Sequence, residues 1–248
     1  GQPSKKLVNI DIPEEDKFLQ LKDSRKNLKS ISSLLSVQEG CDKFCSFCVV
    51  PYTRGVEISR PAKQILNEAQ ELIDIGAKEI ILLGQNVNAW SQSNGKDTDM
   101  TFAQLINEIS ELNIERIRYI TSHPRDMTED LMRAHRDIEK LQPYLHLPVQ
   151  SGSDKILKEM NRNYSSQQYI DIIDKTREYK QDIAISGDFI VGFPGETDDD
   201  FEATLDIVKR VKYAHAYSFK YSPRPGTPAA LKDDQIDEEI KSLSLIHI

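Results

Sequence analysis

Hydrophobic positions along the chain follow two alternating patterns from Ser33 onward. Short runs of consecutive apolar residues alternate with longer segments in which apolar residues recur every three or four positions. Continuous runs are typical of strands buried on both faces of a parallel sheet, and the longer spacing is typical of amphipathic helices. Six strand-then-helix units can be counted, so the pattern predicts an α/β fold with parallel strands and right-handed helical crossovers.

The predicted strands and helices can be placed on the sequence. The strands lie within LLSVQEG, KEIILLGQN, ERIRYITSHP, YLHLPVQSGS, IAISGDFIVGFPGE and AHAYSFKYSPRPGTP. The helices lie within PAKQILNEAQELIDIG, TFAQLINEISEL, TEDLMRAHRD, SDKILKEM, SSQQYIDIIDKTREY and DDDFEATLDIVKRV. A closed eight-unit barrel would need further units, and an open, partial (β/α)6 barrel fits the six that we count.

The composition of the 248 residues is that of a globular protein with an apolar core, because 38% are hydrophobic and 29% are charged. The net charge of −8 argues against a protein that binds duplex nucleic acid mainly by neutralising phosphates, although a local basic patch could still contact RNA. No apolar run approaches the roughly 18 residues of a membrane helix, and the first residues lack a secretory signal. We therefore expect a cytoplasmic protein with no membrane partner and with reduced cysteines.

Polar and glycine-containing motifs follow the predicted strands. They are EGCDKFC, GQN, TSHP, PVQSGS, GFPGE and SPRPGTP. Such residues are common in turns, which would explain any one of these motifs alone. In barrels of parallel strands the carboxyl ends share one face, and the active site lies there. Six motifs together therefore predict a functional site on that face.

The three cysteines of the chain, Cys41, Cys45 and Cys48, lie within eight positions. Their odd number and the expected reducing compartment argue against a disulfide framework. The spacing C-x₃-C-x₂-C suits a four-iron cluster with one iron open to a small molecule, because structural clusters generally use four cysteines. A zinc ion held by these thiolates and a distant histidine or aspartate remains an alternative. Phe44 and Phe47 could shield a cluster from water or simply pack in the core.

With these motifs the chain resembles the radical S-adenosylmethionine (SAM) superfamily, and within it the methylthiotransferases. The resemblance extends from about Ser33 to Ala230. It is carried by VQEGCDKFCSFCVVPYTRG, LLGQNVNAW, YITSHPRDM, LHLPVQSGSDKILKEMNRNY, DFIVGFPGETDDDF and YSPRPGTPA. GQNVN and PVQSGS favour the branch that converts N6-isopentenyladenosine at position 37 of tRNA to its 2-methylthio form. The branches that act on a ribosomal protein or on another tRNA adenosine are the nearest alternatives.

The resemblance implies an enzyme that cleaves SAM reductively. Cys41, Cys45 and Cys48 would hold a 4Fe-4S cluster whose open iron binds the methionyl amino and carboxylate groups. One electron then splits SAM into methionine and a 5′-deoxyadenosyl radical, which abstracts hydrogen from the substrate. The expected partners are the tRNA anticodon stem-loop and an electron donor such as flavodoxin or ferredoxin. The expected oligomeric state is a monomer, and no catalytic side chain is predicted.

The resemblance also assigns residues to SAM. Gly84 would allow close backbone approach, and the two amides after it offer hydrogen bonds. Gln150 and Ser151 suit the ribose hydroxyls or the methionyl group, and the strand around Asp188 resembles the one that lies along the adenine. Arg162 would pair with the methionyl carboxylate, unless it is a surface cation at a helix end. The expected SAM-binding residues are Gly84, Gln85, Asn86, Gln150, Ser151, Arg162, Asp188, Ile190 and Gly192.

Two histidines and two further arginines lie near these motifs. His123 and His146 follow or end strands, where a single histidine is more often a hydrogen-bonded structural residue than a ligand. Arg54 and Arg60 could reach a substrate phosphate or the cofactor, or could be solvated loop charges. We therefore expect neither histidine to bind a metal, and both interpretations of the arginines stay open.

The methylthiotransferases that the chain resembles have three parts: an N-terminal domain with three further cysteines, the radical domain, and an RNA-binding TRAM domain. We expect residues 1–32 to be a polar linker at the end of the N-terminal domain, residues 33–230 to be the radical SAM core, and residues 231–248 to be a truncated C-terminal segment. The last six residues, LSLIHI, do not resemble the family's continuation. Three cysteines suffice for one cluster, so the sulfur-donating second cluster would be absent.

Two functions of other classes compete with this interpretation. One is a zinc-stabilised structural or adaptor domain that uses the three cysteines and one histidine. The other is an RNA-binding module without catalysis, although the sequence shows neither a basic stripe nor an aromatic platform.

Overall fold

Six parallel strands form the centre of the protein. The structure, a computed structural model, describes residues 30–93 and 99–248. The strands are β1 (Ser32–Ser36), β2 (Glu79–Leu83), β3 (Arg116–Tyr119), β4 (Tyr144–His146), β5 (Ala184–Val191) and β6 (His215–Lys220). Each overlaps one of the six sequences predicted to contain a strand, so that prediction is confirmed.

The strands follow one another around the sheet in chain order. β1, β2 and β3 pair in parallel, with Leu34 opposite Ile81, and β4, β5 and β6 form a second parallel set. A bridge between Ile117 and Leu141 joins the two sets, and the Gln142 N–H donates to the Ile117 carbonyl at 2.9 Å. No strand pairing connects β6 back to β1 in the described residues. The sheet is therefore an open, partial (β/α)6 barrel, as predicted.

Helices connect the strands and cover the outside of the sheet. They are α1 (Val50–Arg54), α2 (Ala62–Asp74), α3 (Phe102–Ser110), α4 (Glu129–Asp137), α5 (Asp154–Glu159), α6 (Ser166–Tyr179), α7 (Asp198–Val211) and α8 (Glu238–His247). Helices α3, α6 and α7 begin at capping boxes in which Thr101, Ser165 and Thr197 accept from the backbone of the third helical residue. These caps fix where the crossovers begin.

Helix α1 lies between the cysteines and the segment PAKQILNEAQELIDIG, where the sequence analysis predicts no helix. Pro51 lies in the first turn, where its missing N–H costs nothing. The Thr53 N–H donates to the Val49 carbonyl at 3.0 Å, and the Gly55 N–H donates to the Pro51 carbonyl at 3.1 Å. These bonds close a single helical turn that the sequence analysis missed.

The core lies between the sheet and the helices. In β2, Ile80 and Leu82 are fully buried, whereas Glu79, Ile81 and Leu83 are only partly buried. Side chains alternate between the two faces of a strand, so the buried positions face the helices and the others face the lumen of the open barrel. The lumen therefore remains accessible.

The predicted domain boundaries stay predictions. Residues 1–29 of the expected linker lie outside the described residues. The last residue of that linker, Ser32, is the first residue of β1. Residues 231–248 include α8, which lies against β5 and β6. Within residues 30–93 and 99–248, no helix combines the length and apolar character needed to cross a membrane.

Candidate cofactor site at the carboxyl ends of the strands

The three cysteines lie on the segment between β1 and α1, here called the cysteine loop (residues 40–49). All three side chains are half-buried, and none forms a disulfide. The loop starts at Gly40, which has a φ of +79°, and a Cβ there would lie 2.0 Å from the Val56 carbonyl oxygen. Only glycine fits this position. Further along, the Cys48 N–H donates to the Cys45 carbonyl at 2.9 Å and closes a tight turn.

The GQN motif after β2 holds the start of the cysteine loop. Gln85 Oε1 accepts from the Gly40 N–H at 2.7 Å. Gln38 joins the two segments, because its Nε2 donates to the Gly40 carbonyl at 2.7 Å and its Oε1 accepts from the Asn86 N–H at 3.0 Å. A Cβ at Gly84 would lie 2.5 Å from that Oε1. The observed contacts of the motif are therefore with protein, and its contact with SAM stays a prediction.

An ion pair and two amides fix the middle of the cysteine loop. Lys43 Nζ lies 2.7 Å from an Asp126 carboxylate oxygen, to which Asn86 Nδ2 also donates at 2.8 Å. Asn161 Nδ2 donates to the carbonyls of Lys43 and Phe44 at 3.2 and 2.9 Å. Phe44 has a φ of +48°, which a bulky residue rarely adopts. Protein contacts thus hold the loop in a strained conformation.

Burial disfavours ionisation of the thiols. Burial, together with the nearby Cys45 and Cys48 sulfurs, raises the pKa of Cys41 to about 11. The pKa of Cys48 is also raised by burial, while the Val50 N–H, 3.5 Å from its sulfur, opposes the shift. Thiols of this kind become ligands when a bound metal displaces their protons.

The donor set fits a cluster better than a single ion. Structural zinc needs four ligands around one point. In the described residues, no three His, Cys, Asp or Glu side chains converge as a cage for one metal ion. Three half-buried thiols on one loop, with no fourth cysteine in the chain, suit a cuboidal cluster that leaves one iron open.

Arg162 lies beside the cysteine loop and is only 5% exposed. Its Nη1 is 3.6 Å from Cys45 Sγ, its Nη2 donates to the Pro148 carbonyl at 2.6 Å, and its Nε donates to the Tyr164 hydroxyl at 2.8 Å. The alternative of a surface cation at a helix end is therefore wrong. Pairing of Arg162 with a methionyl carboxylate stays a prediction.

A cavity of about 320 Å³, here called the strand-end cavity, opens next to the cysteine loop. It is lined by Phe47 of the loop, by Gln150, Asp188 and Ile190, by residues 219–222 at the end of β6, and by Arg224. The structure thus brings three of the expected SAM-binding residues together beside the cysteines. Phe47 and Ile190 give the cavity apolar surface. Its hydrogen-bonding side chains include Gln150, Asp188, Lys220, Ser222 and Arg224.

The backbone places Gln150 at the edge of this cavity. Gln150 has a φ of +78°, its N–H donates to the Asp188 carbonyl, and its carbonyl accepts from the Ile190 N–H, both at 2.9 Å. These bonds continue the pairing of β4 with β5 beyond the end of β4. Gln150 therefore lies opposite Phe189, between Asp188 and Ile190, which line the same cavity.

Ser151 and Gly192 do not line the strand-end cavity. The buried Ser151 hydroxyl lies 3.3 Å from Thr204 Oγ1 and accepts from the Ser153 N–H at 3.2 Å. Gly192, with a φ of +68°, faces α8, and a Cβ there would lie 2.3 Å from Lys241 Cγ. The structure gives both residues packing contacts, and their contact with SAM stays a prediction.

The two histidines have different surroundings. His123 is buried, its Nδ1 accepts from the Arg125 N–H at 3.2 Å, and burial lowers its pKa to about 2. His146 lies with Nδ1 2.8 Å from Ser186 Oγ and with Nε2 3.5 Å from the Asp188 carboxylate. The sequence analysis missed this contact with a cavity residue. Period-two alternation in β5, which puts Ser186 and Asp188 on one face, is the signal that could have indicated it.

The two arginines also separate. Arg60 is 1% exposed, forms an ion pair with Glu68 at 2.5 Å, and donates to the Ser36 carbonyl at 3.2 Å. It lies in the core, so it is neither a solvated loop charge nor exposed to a substrate phosphate. Arg54 is 61% exposed and lies 3.5 Å from Glu39. Its role stays open.

Comparison with known proteins identifies similar sequences. Residues 35–208 match the radical SAM superfamily. A tRNA-2-methylthio-N(6)-dimethylallyladenosine synthase from Ruegeria sp. (strain TM1040) is 59% identical over 226 residues, which cover 91% of this chain and 51% of that protein. The protein of the same name from Bartonella tribocorum is 53% identical over 252 residues, covering 100% of this chain and 55% of the relative. The chain thus spans about half the length of these curated relatives.

Solved structures share the fold. The radical S-adenosylmethionine methyltransferase TsrM from Kitasatospora setae, with cobalamin and a [4Fe-4S] cluster bound, has a TM-score of 0.65 at 17% identity, over 80% of this chain and 38% of that one. Coproporphyrinogen III oxidase (HemN) from Escherichia coli, a radical SAM enzyme, has a TM-score of 0.60 at 19% identity, over 87% and 50%. The open barrel and the cysteine loop therefore agree with the sequence match over residues 35–208. The chain belongs to the radical SAM superfamily.

Proposed function

We propose that the chain is the radical-generating core of a tRNA methylthiotransferase that acts on N6-isopentenyladenosine at position 37. The observation that carries the proposal is the cysteine loop with its three free thiols beside the strand-end cavity. The named activity of relatives that are 53% and 59% identical supports the choice of substrate. Because the chain spans half of those relatives, the complete reaction is part of this proposal.

The residues present fit a 4Fe-4S cluster and SAM. Cys41, Cys45 and Cys48 would each bind one iron, and the fourth iron would be open to the methionyl group. When bound, the cluster supplies the electron that cleaves SAM into methionine and a 5′-deoxyadenosyl radical. We propose that the neighbouring strand-end cavity holds the adenosyl part of SAM.

The side chains of the strand-end cavity have separate tasks in this proposal. Phe47 and Ile190 form an apolar wall, which would hold a nucleoside and exclude water from a reactive centre. The Asp188 carboxylate accepts hydrogen bonds, and the Gln150 amide can both donate and accept. The contribution of the protein is therefore binding, orientation and exclusion of water.

We infer that the full reaction uses parts beyond these residues. All three cysteines lie in one loop, so a second, sulfur-donating cluster would be bound by the additional length that the relatives have. A net charge of −8 also favours RNA contacts that lie mostly elsewhere. We propose the tRNA anticodon stem-loop as substrate, a flavodoxin or ferredoxin as electron donor, a monomeric state, and a cytoplasmic site of action.

Anaerobic reconstitution with iron and sulfide tests the proposal. We expect about four irons per chain, as one cuboidal cluster requires, and slow cleavage of added SAM under reducing conditions. We expect no methylthiolation of the tRNA by the chain alone, because it has thiols for one cluster only. One tightly bound zinc per chain without iron would contradict the proposal and support a structural zinc domain.

A further inference from the structure

The environment of Arg162 suggests a second function for this side chain. The residue follows α5, and its N–H donates to the Leu157 carbonyl at 2.9 Å. Its guanidinium uses all three nitrogens: Nε contacts Tyr164, Nη2 contacts the Pro148 carbonyl, and Nη1 points at Cys45 Sγ. Two of these partners are neutral oxygens. Cys45 is the partner that can become an anion.

A buried guanidinium needs a compensating negative charge. Within the described part of the chain, no carboxylate forms an ion pair with Arg162. The Arg162 side chain is 5% exposed, so its charge has lost most of its hydration. Without an anionic partner, this burial is unfavourable for folding. A Cys45 thiolate bound to a metal cluster supplies that charge at the position where Nη1 already lies.

The contacts around Arg162 keep its guanidinium in this orientation. The Tyr164 hydroxyl, which accepts from Nε, itself donates to the Val149 carbonyl at 2.8 Å. The ring of His123 packs edge-on against the Tyr164 ring with centroids 5.8 Å apart. Arg162 therefore cannot turn away without breaking hydrogen bonds to the segment that precedes Gln150.

The cysteine loop is also fixed relative to Arg162. The Ser46 N–H donates to the Met160 carbonyl at 3.0 Å, and Ser46 Oγ donates to the Glu159 carbonyl at 2.7 Å. Both acceptors lie at the end of α5, two and three residues before Arg162. Hydrogen bonds thus join the residue after Cys45 to the end of α5. The backbone therefore holds the Cys45 sulfur and the Arg162 guanidinium close to each other.

We propose that Arg162 tunes the reduction potential of the cluster by donating an N–H···S hydrogen bond to Cys45. This inference rests on the proposed function, because it requires that the cysteine loop binds the cluster. Reduction adds one negative charge to the cluster, and a fixed cation in a medium of low dielectric stabilises the reduced form. Hydrogen bonds to ligating sulfur act in the same direction. Arg162 thus makes the cluster easier to reduce.

The test measures the midpoint potential of the cluster in the reconstituted chain without SAM. Electron paramagnetic resonance detects the reduced cluster at each potential. In Arg162→Gln we expect a lower potential. The ratio of reduced to oxidised cluster at a fixed potential should fall about tenfold, which is about 59 mV for one electron. Arg162→Lys keeps the charge without the planar fork, and its shift should be smaller and in the same direction.

Arg54→Gln is the matched control. It removes the same charge six residues after Cys48, but from a side chain that is 61% exposed and screened by water. We expect its midpoint potential to stay within experimental error of the wild type. A shift as large as that of Arg162→Gln would show a general charge effect and would overturn the assignment of a hydrogen bond.

Other outcomes are also decisive. An unchanged potential in Arg162→Gln with a full complement of iron would overturn the inference, and a simultaneous loss of SAM affinity would assign Arg162 to the methionyl carboxylate instead. If Arg162→Gln does not retain iron, the midpoint potentials of Arg162→Lys and Tyr164→Phe are measured instead. If neither variant shifts the potential, the inference is overturned. A wild-type chain that assembles no four-iron cluster would refute the proposed function itself, so the two failures are distinguishable.

Discussion

The cysteine loop and the strand-end cavity are neighbours, but they are built in different ways. The loop is held by hydrogen bonds from Gln38 just before it and from the distant residues Gln85 and Asn161. The cavity is open and is lined by side chains, such as Phe47 and Asp188, that can still respond to a ligand. A rigid frame suits a group whose ligands must stay in place, and an open cavity suits a ligand that enters and leaves. Changes in the loop should therefore affect cluster assembly, and changes in the cavity should affect SAM affinity.

The largest effect is expected for Cys45→Ala. Removing one of three ligands leaves the cluster with two thiols, so reconstituted iron should fall far below the level in the wild type, and SAM cleavage should be lost. Iron analysis and a cleavage assay measure both. Iron content and cleavage equal to those of the wild type would contradict the assignment of the cysteine loop.

Gly40→Ala tests the rigidity of the loop. A methyl group would lie 2.0 Å from a backbone oxygen at a φ of +79°, so the chain should lose about 2 kcal/mol or more of its free energy of unfolding. Urea denaturation measures the loss. The control is Gly226→Ala, which has a φ of +84° but nothing within 4 Å of the added carbon. Equal losses in the two variants would mean that the contact with Val56 contributes nothing.

Asp188→Asn and Ser151→Ala separate cavity residues from packing residues. In Asp188→Asn we expect about a tenfold loss of SAM affinity with unchanged iron, because a charged hydrogen-bond acceptor becomes a neutral amide. In Ser151→Ala we expect unchanged affinity and about 1 kcal/mol less stability, because the hydroxyl bonds only to protein. Equilibrium dialysis and urea denaturation provide the two readouts. The reverse pattern would show that the cavity has been assigned wrongly.

The smallest effect concerns pH and Glu196, which lies in the turn between β5 and α7. Burial raises the pKa of this carboxyl from 4.5 to about 7, although the Gly192 N–H donates to it. The unfolded chain therefore loses the proton first, and the free energy of unfolding should fall between about pH 4.5 and pH 7 and then level off. After allowance for water around a half-buried group, we expect about 1 kcal/mol.

Glu196→Gln should remove this part of the pH dependence. The measurement is the difference in free energy of unfolding between the variant and the wild type at several pH values. A difference that does not change from pH 4.5 to pH 7 would contradict the raised pKa. Iron content should be equal in the two proteins, since Glu196 does not contact the cysteine loop.

The sequence predicted the elements with local signals and missed those that depend on distant partners. Each strand of the barrel is an apolar run that needs no knowledge of its neighbours. The cysteine spacing is equally local. By contrast, Gln85 contacts Gly40 across 45 positions, and Gln38 has no local pattern that marks it as the residue between them. Helix α8 was not predicted either, because residues 231–248 carry only a weak apolar period.

Arg162 shows the same limit for the site. A sequence cannot tell a buried arginine from an exposed one at a helix end, because burial here depends on the packing of Tyr164 and the segment at Pro148. Family resemblance predicts nine SAM-binding residues. The structure brings Gln150, Asp188 and Ile190 to one cavity, and it gives the GQN motif contacts with the cysteine loop.

The most direct test of the central claim is Mössbauer spectroscopy of chain reconstituted with ⁵⁷Fe, recorded with and without SAM. If three cysteines hold a four-iron cluster beside a cavity that binds SAM, the signal of about one iron in four should change when SAM is added, and the other three should remain. A spectrum that SAM does not alter, or a chain that binds zinc in place of iron, would contradict it.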